Sequence, residues 1–323
     1  MANARMGRFA GLTILLLRMA FSPAQAQTDD LFVFGYGNVR IDRVSPTGAN
    51  TPLFHLSNLQ FMAVDGHNQL YVSARDTIYK VNADGTSTVF VSGLSRTSTR
   101  MMVFDAEGAL FVGDQSGLIY KISPTGTVVT LTNNISSPWG LAIQANGTLF
   151  VSDYFKGTVF QVNPTTGAAT TFATGFASPR AIAFDASGNL YVANYANGTI
   201  SQVSSAGVAT TFAQVPNPIM LAFDTTGDLY VTSLKDNYIY KVDQTGAASR
   251  FMGPQGVGGL AFSHPFLKPV AAKPPPMVSR ITTSSEPEAK PSKGLIFVLS
   301  TPAIILVIAI LIWLVPRKKE AKQ

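Results

Sequence analysis

Along most of the chain, apolar and polar residues alternate in short runs separated by turn-forming clusters, and the runs recur at a fixed interval. The phrase leucine, aromatic, valine appears as Leu31-Phe32-Val33, Leu70-Tyr71-Val72, Leu110-Phe111-Val112, Leu149-Phe150-Val151, Leu190-Tyr191-Val192 and Leu229-Tyr230-Val231; successive leucines are 39, 40, 39, 41 and 39 residues apart. That regularity marks a repeat protein of six units. In the clearest unit, Ala181 to Phe184 reads as a strand and Asp185-Ala186-Ser187-Gly188 as a tight turn. Asn189 to Ala193 reads as a second strand, Thr199 to Val203 as a third and Val208 to Phe212 as a fourth. Between the second and third lies Asn194-Tyr195-Ala196-Asn197-Gly198, a longer loop of residues that tolerate positive φ.

Four antiparallel strands per repeat, with no helical period between anchors, predict an all-β fold: a six-bladed β-propeller of four-stranded blades. First strands repeat as Met62-Ala63-Val64, Leu141-Ala142-Ile143, Leu221-Ala222-Phe223 and Leu260-Ala261-Phe262, a small residue between two large ones, as suits strands crowded toward an axis. The first unit opens directly on its second strand at Leu31, whereas the last is followed by an orphan first strand, Gly259 to Phe262. A ring closed by that orphan builds one blade from both ends and leaves no open edge.

The phrases Gly140-Leu141-Ala142-Ile143 with Leu149-Phe150-Val151-Ser152-Asp153, and Pro179 to Asn194, resemble NHL-type repeats. They are also similar to the gluconolactonase and senescence-marker-protein superfamily of six-bladed propellers and, more loosely, to the streptogramin lyases. The resemblance implies a central channel in which the enzymes hold a divalent metal with a glutamate, asparagines and an aspartate. This propeller departs from that pattern: its single glutamate, Glu107, falls in a first-to-second-strand turn, on the face opposite the implied site. His67 sits in another such turn, His55 near a fourth-strand end and His264 after the last strand, so histidine offers little as a base.

The ends of the chain add location. Residues 1–26 read as a signal peptide, with Arg5 and Arg8, an apolar run Phe9 to Leu17 and the small-x-small site Ala24-Gln25-Ala26. The propeller is expected over 27–267, followed by a proline-, serine- and lysine-rich stalk over 268–294. Residues 295–315 carry no charge over 21 residues, enough to cross a bilayer, and the basic tail 316–323 places the C-terminus in the cytoplasm. The expectation is a single-pass membrane protein with its propeller on the periplasmic or extracellular side.

Of 323 residues, 24 are Lys or Arg and 18 Asp or Glu, giving a net charge of +6 and a pI near 9.5. Residues 31–262 hold 12 of the basic residues against 13 acidic ones, so the excess lies at the ends, where it serves targeting and topology. Nucleic acid is therefore not an expected partner.

Loops joining second to third strands share a face with the connections between blades, and a site is expected there. The candidate ligand-binding residues are Arg100, Trp139, Tyr154, Lys156, Arg180 and Tyr195. The cations suit an anionic group, the rings a sugar or peptide; inter-blade pairing of the arginines with Asp114 or Asp153 is the structural alternative. Asp114, Asp153 and Asn194 hold equivalent positions at second-strand ends. They are either oxygen ligands for calcium or magnesium or caps on their own loops. Two functions follow: a recognition module for a protein, peptide or glycan, needing no cofactor, or a lactonase-like hydrolase or lyase with a metal at those three residues.

Overall fold

The computed structural model describes residues 30–35, 40–45, 47–94, 99–253 and 257–262; the predicted signal peptide, stalk, membrane span and tail lie outside them. Twenty-four described strands form six four-stranded antiparallel sheets. The second to sixth blades begin with inner strands Leu59–Val64, Thr99–Phe104, Pro138–Ile143, Pro179–Phe184 and Pro218–Phe223, and each runs outward in chain order.

The first blade closes the ring as expected. Its inner strand is Val257–Phe262, paired antiparallel to Leu31–Gly35 with Leu31 opposite Phe262 and Val33 opposite Leu260. One sheet thus ties both ends of the propeller together with main-chain hydrogen bonds, and opening the ring breaks all of them at once.

Burial is greatest in the second strands and least at the rim. Second strands such as Leu70–Ala74, Leu149–Asp153 and Leu229–Ser233 are buried at every position. Outer strands such as Ser87–Val91 and Ala209–Gln214 expose their first three residues. Apolar side chains at alternate positions therefore pack between blades, while threonine and serine face solvent on the rim. Cross-strand pairs of an aromatic and a cation repeat this packing: Lys121 lies 5.2 Å from the centre of Phe111 and Lys241 5.4 Å from that of Tyr230.

The inner strands depart from the sequence reading. They begin two to three residues earlier than the apolar pattern suggests, so Arg100, Trp139 and Arg180 are strand residues, not residues of the blade connections. Proline opens three of them, at Pro138, Pro179 and Pro218, a position that gives up a donor without loss. The register then slips between Pro138 and Leu141 and between Pro179 and Ile182, a bulge that hides the strand start from a period-two pattern.

Candidate functional site

The bulges leave main-chain groups for side chains to satisfy. In the fourth blade Ser152, fully buried, accepts a hydrogen bond from the Gly140 amide at 2.8 Å and donates to the Arg180 carbonyl of the fifth blade at 2.6 Å. Gly140 itself has no room for a side chain: a Cβ there would lie 2.3 Å from that carbonyl oxygen. The start of the fifth inner strand is therefore held by the fourth blade, and with it the direction of Arg180.

Arg180 and its neighbours form an alternating stack. The Arg100 guanidinium, from the third blade, lies 4.3 Å from the centre of the Trp139 ring, and that of Arg180, from the fifth, lies 4.4 Å from it. The Arg180 guanidinium is also 3.7 Å from the Tyr195 ring centre and 5.7 Å from that of Tyr154. Each contact is a cation over an aromatic face, worth about 0.5–2 kcal/mol depending on desolvation. Trp139 is only 8% exposed, and it meets Phe61 of the second blade edge-on at 6.0 Å. Phe61 and Trp139 belong to blades that are not neighbours.

The loops that carry the tyrosines are fixed by the main chain. The Tyr154 amide donates to the Ser137 carbonyl at 3.0 Å, the Tyr195 amide to that of Ser178 at 3.3 Å and the Leu234 amide to that of Asn217 at 3.1 Å. Each bond joins the residue after a second strand to the residue before the first. Ser178 and Asn217 hold φ at 53° and 40°, a left-handed conformation that L-residues adopt at a cost.

Five of the six sequence-predicted ligand residues, Arg100, Trp139, Tyr154, Arg180 and Tyr195, are thus brought together. Lys156 is not: its ammonium lies 5.6 Å from the ring of Phe160, on the third strand of its own blade. The expected sugar-stacking face of Trp139 is taken by arginine. Pairing of Arg180 with Asp114 or Asp153 does not occur, and its Nε is buried with no hydrogen-bond partner among the described residues. Phe155, 79% exposed and in edge contact with Tyr154 at 5.3 Å, was missed by sequence reasoning. Its signal was a large apolar residue inside a turn, where no core position exists for it.

Asp114, Asp153 and Asn194 are buried and engaged within their own blades. Asp114 accepts from the Ser116 and Leu118 amides at 2.8 and 3.0 Å and from the Ser116 hydroxyl. Asp153 accepts from the amides of Phe155, Lys156 and Ser136, each at 3.1 Å, and from the Ser136 hydroxyl. The Asn194 oxygen accepts from the Ala177 amide, and its nitrogen donates to Thr199 and Ser201. These oxygens serve their loops, and a shared cation would have to displace the amides that hold them. Among the described residues no three of His, Asp and Glu are grouped to hold a metal ion.

Beside Tyr195 a cleft of about 420 Å³ opens between the loops of the fifth and sixth blades, with Asn197, Gln214, Asn217 and Lys235 on its walls. Asn217 donates from its side chain to the Tyr195 carbonyl at 3.1 Å, which joins the cleft to the stack.

The sequence profile of the SMP-30/Gluconolactonase/LRE-like region matches residues 24–235, more than half of the chain. No curated protein matches the sequence. Among solved structures, a chain of a nidogen/laminin complex is similar with a TM-score of 0.66 at 15% identity, over 74% of this chain and 99% of that one. Virginiamycin B lyase from Staphylococcus aureus is similar with a TM-score of 0.58 at 12% identity, over 74% and 93%. A gluconolactonase from Xanthomonas campestris gives 0.51 at 17% identity, over 64% and 84%. At such identities the likeness is one of fold.

Proposed function

This chain belongs to the SMP-30/gluconolactonase/LRE-like family, and from that premise we propose that its propeller is a recognition module. It binds a protein, peptide or glycan through the loop face, outside the cytoplasm, held to the membrane by residues 295–315. The observation that carries this reading is the stack of Arg100, Trp139, Arg180 and Tyr195, which gathers charge and aromatic surface at one place. The similar chain from a nidogen/laminin complex supports the reading as a precedent for the fold in protein assembly.

Family membership favours a second reading, a lactonase-like hydrolase or a lyase with calcium or magnesium at Asp114, Asp153 and Asn194. The donor set fits it poorly, because one oxygen of Asp114 and both of Asp153 already accept loop amides and the other Asp114 oxygen accepts from the Tyr120 hydroxyl.

Both readings are tested by thermal unfolding of the full-length chain in detergent against peptides, glycans, lactones, sugar acids and divalent cations. Binding to the folded state raises the melting temperature by mass action. A shift with a peptide or glycan that vanishes in Arg180→Gln supports recognition. A shift with calcium or magnesium that vanishes in Asp153→Ala, followed by lactone turnover, replaces recognition with the enzyme.

A further inference from the structure

On the face away from the loops, the turns between third and fourth strands seal each blade to the one before it. In the second to sixth blades, a Cβ on the turn glycine, from Gly85 to Gly246, would lie within 3.2 Å of a carbonyl oxygen on the preceding blade's outer strand. The first blade repeats the turn phrase of the third, Ser45-Pro46-Thr47-Gly48 against Ser123-Pro124-Thr125-Gly126. Yet among the described residues nothing lies within 4 Å of a Cβ on Gly48, whereas one on Gly126 stands 3.2 Å from the Phe90 carbonyl oxygen. In place of that seal is a cavity of about 130 Å³, between Leu31 and Ser45 of the first blade and Thr226, Lys241 and Phe251 of the sixth. No cation bridges it. Lys121 of the third blade donates to the Pro164 carbonyl of the next at 3.2 Å, but Lys241, its counterpart, pairs with Asp228 of its own blade at 2.9 Å.

The sixth blade is also the looser one on its other flank, at the loop face. A Cβ on the loop glycines Gly117 and Gly157 would lie 2.9 and 2.5 Å from the carbonyl oxygens of Ile135 and Phe176. One on Gly198 would stand 3.4 Å from that of Val215, a smaller residue than either, and there the cleft of about 420 Å³ opens. Two cavities thus flank one blade on opposite faces. We propose that the sixth blade is a rocking wall that sets the width of the cleft. Its inner strand, Pro218–Phe223, and Tyr230 stay packed in the core, and the outer strands tilt about them. A tilt that carries the turn face toward the first blade carries the loop face toward the fifth, so seam and cleft narrow together. The exchange is between two discrete contacts, the Gly246 turn against Phe212 in one position and the closed seam in the other.

The chain has no cysteine, so nitroxide labels on the full-length protein in detergent sit only where cysteines are placed. Thr47→Cys with Thr226→Cys spans the open seam, and Thr125→Cys with His67→Cys spans the same positions between the third and second blades; all four residues are exposed. Asn197→Cys with Lys235→Cys, also exposed, spans the cleft. Distances are read by double electron-electron resonance. The seam pair is expected to give a distribution about twice as broad as the control pair. Ser45→Leu, which fills the cavity beside Leu31 and Phe251, is expected to narrow the seam distribution and move the cleft pair to shorter distance. Gly246→Ala, which pushes the turn off the Phe212 carbonyl, is expected to shorten both distances and serves if Ser45→Leu does not fold. Equal breadth at seam and control overturns the inference. A cleft pair indifferent to both substitutions overturns the rocking wall as well, since the cleft would then keep its width whatever the seam does. Neither result touches the recognition reading, which the thermal panel tests separately.

Discussion

Replacing Ser152 by alanine removes one oxygen and leaves two main-chain groups without partners. The hydroxyl is fully buried, accepts from Gly140 at 2.8 Å and donates to the Arg180 carbonyl at 2.6 Å. Each buried group left unmet costs about 1–3 kcal/mol, so the loss is about 2–6 kcal/mol. For a domain of this size, 1 kcal/mol moves the melting temperature by roughly 2–4 °C, and Ser152→Ala should melt about 4–24 °C lower. Urea unfolding followed by circular dichroism and by Trp139 emission measures the free energy directly. Ser152→Thr is the control, because Thr232 fills the corresponding place in the sixth blade and accepts from the Met220 amide at 3.1 Å. Ser73 does the same for Phe61 in the second blade at 3.1 Å, so alternate blades carry the latch. A loss below about 1 kcal/mol in Ser152→Ala would refute the claim that the hydroxyl holds the bulge and the Arg180 main chain.

Gly140→Ala places a Cβ 2.3 Å from the Arg180 carbonyl oxygen and 2.8 Å from the Ile182 nitrogen, both main chain, so neither can rotate away. It should cost at least about 3 kcal/mol in the same urea experiment, and a near-neutral result would show that the inner strands slide freely. Asp153→Ala strips the acceptor from three loop amides and should lose about 1–3 kcal/mol in calcium-free buffer. Loss seen only with calcium present would assign Asp153 to a metal instead. Burial, then the carboxylates of Asp65 and Asp185, push the Tyr71 and Tyr191 hydroxyls up to about 12. The folded state thus holds protons that the unfolded chain releases near pH 10, and this contribution is whole below pH ~10 and lost as pH climbs toward 12. Ultraviolet titration showing both tyrosines ionising near pH ~10 would contradict it.

The propeller was legible because its signals are local. Each Leu-aromatic-Val strand lies between turns written in Asx, proline and glycine, and the unmatched strand at Gly259 to Phe262 announced closure. The site was half legible. Arg100, Trp139 and Arg180 share one place in the repeat, so a ring of like positions could be read, and Tyr154 and Tyr195 share another. What no period encodes is the bulge, which moves these residues into the inner strand and turns each toward its neighbour's blade. Lys156 escaped for the opposite reason: a long flexible side chain beside Phe160 follows the nearest aromatic face, not the position of its Cα. The duty of Asp114 and Asp153 as caps follows from the Asx turn each begins, yet the second oxygen of Asp153 reaches Ser136 across 17 residues, which only the fold reveals.

The central claim is that the partner meets the loop face at the arginine stack. The most direct measurement places a photo-crosslinking benzoylphenylalanine at Phe155 in the full-length chain expressed in its own cells, with the same probe at Ala186, exposed in a turn on the opposite face. The account predicts a defined adduct from position 155 that disappears with Arg180→Gln, and none from position 186. Adducts from position 186 alone, or adducts from 155 indifferent to Arg180, would contradict it.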